Sequence, residues 1–234
     1  MRTHGFFTAR FDDGESARPF DRANYSDGVG DDPAAVAANR RALAQRAGVA
    51  AGQLVFMRQV HGRAVGVVDG PRDTPVADVD ALVTAVPGVA LAVLAADCLP
   101  VLLADAVAGV VGAVHAGRRG VQLGVVGAAV RAMAGLGAGR IAAQLGPSIG
   151  ACCYAVGRDV QAEVDAAVPG TATSTRNGEP ALDLRAGVVS QLRLAGIEEI
   201  DAVDARCTAD ADDLFSYRRD GRTGRLAGVV VLVP

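Results

Sequence analysis

The sequence predicts a mixed α/β fold in one domain over residues 1–234, and three observations carry that expectation. Short apolar segments follow one another from Leu54 to His115 with no helical segment between them. Helix signals fall outside that run, first between Asp32 and Gly48 and then after Gly120. The strands are too irregularly spaced for a regular βαβ alternation. Half of the 234 residues are hydrophobic and 21% are charged, so a sizeable core is within reach.

Taken in order, His4–Arg10 reads as a strand. The polar stretch Asp12–Asp32, rich in Asp, Gly and Ser, reads as a long loop, and such loops inside compact domains are usually functional or mobile. Asp32 then supplies an N-cap, Pro33 the first helical position and Gly48 the stop. Candidate strands are Leu54–Val60, Ala64–Val68, Ala81–Thr84, Val89–Ala95, Val101–Ala104 and Gly109–His115. Several are apolar at every residue, as strands covered on both faces are. One helix is expected from Gly120 to about Leu136, followed by a strand at Ile141–Leu145. Helices at Asp159–Ala167 and Asp183–Leu194 and strands near Ala202 and Val229 complete the chain. Phe215–Arg225 reads as a hairpin-like turn.

Composition removes several function classes. A net charge of −3 argues against nucleic acid or an anionic membrane as the main partner, because both require a basic footprint. The N-terminus lacks a continuous apolar segment with a small-residue cleavage site, so a cytoplasmic location is expected. All 23 basic residues are arginine. Without lysine there is no Schiff-base chemistry and no Walker-type nucleotide loop. Cys98, Cys152, Cys153 and Cys207 contain no C-x-x-C, and in that setting reduced thiols are expected.

Two of the three histidines stand at promising places. His61 precedes Gly62 in R-Q-V-H-G, Cys98 follows Asp97 at a strand start, and His115 closes the apolar run G-V-V-G-A-V. Three strand ends can converge at one sheet edge, and a thiolate with two imidazoles is the ligand set of an open zinc site. Singly, each has a bland reading: a cysteine in an apolar run is commonly a small core residue. H-A-G-R-R-G combines flexible glycines, a helix start and Arg119, which suits a phosphate or carboxylate. Arg10 and Arg218 are further anion candidates. Asp97 and Asp105 can support a ligand or cap a strand.

Six segments in order then resemble one family: the early V-G-D-D-P-A-A-V-A-A-N-R, Q-V-H-G, A-D-C-L-P-V-L-L-A-D, H-A-G-R-R-G, G-P-S-I-G-A-C-C-Y-A-V-G and F-S-Y-R-R-D-G-R-T-G-R. Together they resemble the YfiH family, also called the laccase-domain or polyphenol oxidase family, over nearly the whole chain. The resemblance implies an α+β fold with mixed sheets packed between helical layers and a zinc site at His61, Cys98 and His115. It implies phosphorolysis of adenosine, inosine and methylthioadenosine with adenosine deamination, so purine nucleosides and phosphate are the implied partners. Some bacterial members are described as peptidoglycan editing factors, which suits a rival reading with Cys98 as nucleophile and His115 as its base. Three histidines are too few for a multicopper oxidase, although a single His₂Cys site can take copper in vitro. Three departures stand out: Arg118 occupies a usual tryptophan position, Ala155 a usual glutamate and Val188 a usual asparagine.

Overall fold

The computed structural model describes residues 1–233 and layers them as helix, sheet, sheet, helix. The chain runs through β1 (Arg2–Phe7), α1 (Pro33–Arg46), β2 (Leu54–Val55), β3 (Val65–Val67), β4 (Ala81–Thr84) and β5 (Ala90–Ala95). It continues through β6 (Leu99–Asp105), β7 (Val110–Ala116), α2 (Arg118–Leu123), α3 (Val125–Gly135) and β8 (Ala142–Leu145). Then come α4 (Arg158–Ala167), β9 (Ala172–Ser174), β10 (Pro180–Leu182), α5 (Leu184–Leu194), β11 (Ile200–Asp201), α6 (Tyr217–Asp220) and β12 (Leu226–Val233).

A six-stranded mixed sheet has the order β11-β8-β6-β7-β4-β3, and a four-stranded one the order β1-β12-β5-β2. Strand alternation decides what each face meets. Leu91 and Val93 of β5 join Leu82, Leu102 and Val111 in the core between the sheets. Ala90 and Ala92 point the other way, against Leu43 and Ala44 of α1. Leu99, Val101 and Leu103 of β6 face Val126, Met133 and Val188 of the helices outside the larger sheet. Strands sandwiched in this way have no solvent face, which explains their uninterrupted apolar sequences.

The structure bears out the mixed α/β class and the Asp32 cap, whose carboxylate accepts the Ala34 N–H. It corrects several boundaries. The first strand stops at Phe7, before Arg10. The predicted strand Leu54–Val60 pairs only at Leu54–Val55, and a single bridge from Met57 to Val76 follows. The helix expected from Gly120 to Leu136 is two helices, because Gly124 adopts φ +78° and ends the first of them. Phe215–Arg225 is no hairpin but carries the short helix α6, capped by Ser216. The β9–β10 hairpin has no counterpart among the expected elements.

The long loop before α1 is ordered by a buried asparagine. Asn39 donates to Ser16, Arg22 and Asn24 and accepts the Glu15 N–H, which holds the loop on α1. Asp105 does similar work at the far end of β6, where its two oxygens accept the N–H groups of Val107, Ala108, Gly139 and Arg140. Burial alone would raise its pKa, but these four donors hold the carboxyl down at about 2. Because this value lies below the unfolded one, the stabilisation is complete above the ordinary carboxylate range and is lost as pH falls toward 2. Asp105→Asn turns an amide donor toward two of those N–H groups and should cost about 1–3 kcal/mol in urea unfolding. Metal content should be unchanged, since Asp105 lies at the end of β6 away from Cys98.

Candidate metal centre and its cavity

β6 and β7 are antiparallel neighbours, with Pro100 opposite His115. Cys98 directly precedes β6, and His115 is the penultimate residue of β7, so the pairing brings both to one end of the sheet. Both share the strand face of Leu102, Val111 and Ala113, which packs on the smaller sheet. His61 arrives from the loop between β2 and β3 rather than from a strand end, which corrects the expectation of three strand termini. Its Nε2 lies 3.8 Å from Cys98 Sγ, and its ring meets that of His115 edge-on at 4.8 Å between centroids. One donor atom from each of the three residues lies within 4.8 Å of the others.

The residue that organises this cluster is Asp80, which sequence reasoning missed. It is fully buried immediately before β4. Its Oδ1 lies 2.8 Å from His115 Nδ1, and its carboxylate also accepts the N–H groups of Val60, His61 and Gly62. Burial would raise its pKa, but His115 and the backbone donors turn the net shift downward. An ionised Asp80 holds the His115 proton on Nδ1, so Nε2 is the nitrogen turned toward Cys98 and the one that would give up its proton to a metal, as metal-binding histidines are commonly held. The same carboxylate fixes the His61 loop, where His61 itself has φ +59°. Such a conformation in a non-glycine residue costs energy that surrounding contacts must offset.

Asp97 is a second left-handed residue, at φ +89°. Its carboxylate accepts the Thr208 hydroxyl and the Arg218 N–H, both at 2.6 Å, and its carbonyl accepts the Ile149 N–H. The peptide leading into Cys98 is thus pinned from two other loops and from α6. Gln59 clasps the backbone of Leu94 with both ends of its amide, docking the His61 loop on β5.

Gly117 packs directly against the cluster. A Cβ there would stand 2.9 Å from His61 Cδ2, 3.0 Å from Cys98 Sγ and 3.5 Å from His115 Cε1. The three donors therefore converge around a position that tolerates no side chain. Burial would push the Cys98 thiol up, yet the His115 charge and both imidazoles pull it down to about 6. Burial conversely disfavours charged His115, but Cys98 and Asp80 raise it to about 9. A donor set that already favours thiolate, with one imidazole tautomer fixed, fits a zinc ion.

The cluster opens into a cavity of about 810 Å³. Ser26–Gly28 from the long loop, Leu94 from β5, Tyr154, Tyr217, Arg218 and Arg225 contribute to its wall. Arg218 lines it, its guanidinium 5.1 Å from the Tyr154 ring centroid. Arg10 and Arg119 do not line it. Arg10 is tied to Asp21 and Asp220, while Arg119 is exposed on α2. Arg225 takes the place such residues were expected to fill: it is half-buried, and its guanidinium donates to the carbonyls of Thr223 and Gly224. Among the described residues it has no carboxylate partner, unlike Arg40 and Arg58 on the same wall. Its membership of the C-terminal arginine-rich motif was the available signal.

Residues 3–233 match the family model described as multi-copper polyphenol oxidoreductase laccase. The chain belongs to this family. Across the family, it is 54% identical to a purine nucleoside phosphorylase of Mycobacterium tuberculosis, over 93% of this chain and 87% of that protein. A purine nucleoside phosphorylase of Streptomyces griseus is 53% identical over 98% and 94% respectively. The crystal structure of YlmD from Geobacillus stearothermophilus superposes with a TM-score of 0.90 at 34% identity, covering 99% of this chain and 92% of that one. The YfiH protein of Bacillus licheniformis gives 0.88 at 31%, covering 98% and 92%. No helix among the described residues is long and apolar enough to cross a membrane.

Proposed function

We propose that the chain is a zinc-dependent purine nucleoside enzyme that splits adenosine, inosine or methylthioadenosine with phosphate and also deaminates adenosine. The observation that carries this reading is the cavity itself: a His₂Cys cluster lines it, together with two arginines whose guanidiniums have no carboxylate partner among the described residues. Its volume of about 810 Å³ suits a nucleoside with phosphate beside it. The names of the related phosphorylases agree with it.

His61, Cys98 and His115 would hold the zinc. When bound there, zinc supplies Lewis acidity toward an oxygen in the cavity. Asp80 keeps the His115 proton at Nδ1 throughout. Arg218 and Arg225 offer their charge to phosphate, and burial makes the Arg225 charge costly unless an anion joins it. Tyr154 and Tyr217 flank them with aromatic faces against which a purine can stack. Arg225→Gln should therefore raise the KM for phosphate about tenfold or more while leaving zinc content unchanged, measured by phosphate titration at saturating adenosine.

The low Cys98 pKa beside His115 and Asp80 also suits a cysteine nucleophile acting on a cell-wall precursor, the peptidoglycan-editing alternative. The family model's name points to copper and phenol oxidation, but the third histidine, His4, lies on β1 outside the cluster. The deciding experiment measures metal in protein purified without added metals and assays adenosine with phosphate by chromatography. Near-stoichiometric zinc with adenine or inosine formed supports the proposal. Metal-free protein that turns over no nucleoside defeats it and favours the hydrolase.

A further inference from the structure

A second cluster of metal-binding side chains stands apart from His61, Cys98 and His115: Cys152, Cys153, Cys207 and Asp210, again with donor atoms within 4.8 Å of one another. We propose that these four residues form a second site, for a soft thiophilic cation such as zinc, which ties the loop leading to Tyr154 to the loop carrying Thr208.

The spacing is the first argument. Donors held about 2.3 Å from one ion in a tetrahedron lie about 3.7 Å apart. Cys152 Sγ and Cys153 Sγ are 3.5 Å apart, Cys152 Sγ lies 3.6 Å from Asp210 Oδ2, and Cys153 Sγ lies 3.4 Å from Asp210 Oδ1. The sulfur pair lies at a tetrahedral edge and each sulfur lies at edge distance from one Asp210 oxygen, with Cys207 within 4.8 Å, while all four cysteines of the chain are free of disulfides. Three sulfurs and one oxygen also favour a soft ion over magnesium or calcium.

Local design is the second argument. The Gly150 N–H points at Cys207 Sγ from 3.2 Å, a donor suited to a thiolate. A Cβ on Gly150 would stand 3.2 Å from Cys152 Sγ and 3.5 Å from Cys207 Sγ. The sulfurs thus wrap a glycine as the donors of the first cluster wrap Gly117. Arg176 lies 3.3 Å from Cys153 Sγ and pairs with Asp210, so a guanidinium offsets the negative charge that three thiolates and a carboxylate leave around a dication. Binding would release the thiol protons to solvent.

The position gives the site its effect. Cys152 and Cys153 sit in the turn that leads to Tyr154 on the cavity wall. Cys207 flanks Thr208, whose hydroxyl holds Asp97 next to Cys98. The Cys153 carbonyl accepts from Arg218. An ion here would fasten the segments carrying Tyr154, Arg218 and the strained Asp97, so it would act as a structural tie and not in the chemistry.

The test uses the full chain, reduced and stripped with a chelator, then titrated with zinc chloride alone. Elemental analysis after desalting should find two equivalents, and mass spectrometry should find Cys152, Cys153 and Cys207 protected from iodoacetamide only when zinc is present. Cys98→Ser should keep one equivalent and the same protection. Cys153→Ser/Cys207→Ser should keep one equivalent while Cys98 stays protected. A single equivalent in the unmodified chain, with these three cysteines alkylated equally with and without zinc, would overturn the proposal. So would loss of both equivalents in Cys98→Ser, or a disulfide among the three in a chain whose reduced form takes no second zinc.

Discussion

Asp80→Ala is expected to strip the metal centre and destabilise the fold in one step. The substitution leaves His115 Nδ1–H without an acceptor and orphans the N–H groups of Val60, His61 and Gly62. All of this happens at a fully buried position, where removing one partner of a charged pair typically costs about 3–5 kcal/mol. The centre loses on two counts, because the same carboxylate fixes the tautomer of one imidazole and the backbone that presents the other. Loss of one ligand-orienting partner commonly lowers metal affinity about 10–100-fold, and here two ligands depend on it. Zinc competition against a chromophoric chelator, with urea unfolding beside it, measures both effects. Asp80→Asn separates them: its one carbonyl oxygen can still accept from the His61 loop, but its amide opposes His115 Nδ1–H. It should recover part of the stability and little of the zinc affinity. Wild-type zinc affinity in Asp80→Ala would refute this account of the site.

The contrast between Asp80 and the three cluster residues shows what the sequence makes legible. Cysteine and histidine advertise coordination by type, so His61, Cys98 and His115 stood out among three histidines and four cysteines. Their meeting did not, since it depends on β6 and β7 pairing antiparallel with Pro100 opposite His115. Asp80 looks like any acid before an apolar strand, and only burial reveals its four donors. Arg225 stands in a segment that reads as a turn, so its burial was equally hidden, while Arg10 stood as an anion candidate although Asp21 and Asp220 engage it. Of the two acids left open, Asp105 caps strand and loop ends, and Asp97 holds the peptide beside Cys98. Fold class followed from doubly covered strands with unbroken apolar sequences. Boundaries failed where tertiary contacts replaced ladder pairing, as where the Gln59 amide docks on Leu94 beyond the end of β2.

Cys98→Ala is the substitution with the largest expected effect on activity, and its value lies in what it separates. Cys98 is half-buried at the mouth of β6, so truncation should cost only ~1 kcal/mol and leave the circular dichroism spectrum unchanged. Zinc content should fall toward that of the chelator-stripped first site, because two imidazoles remain where three donors stood. Lewis-acid stabilisation is worth several kcal/mol, so nucleoside turnover should drop by at least about a hundredfold. A nucleophilic Cys98 would also abolish turnover, and two further measurements tell the readings apart. Cys98→Asp retains a third donor at the same place and should regain part of the zinc and of the rate, whereas a nucleophile replaced by a carboxylate should not form the same thioester chemistry. Chelation of the unmodified chain leaves the thiol in place and should silence it, with zinc restoring activity. Full turnover in the stripped chain, together with an inactive Cys98→Asp, would move the chemistry from the metal to the sulfur.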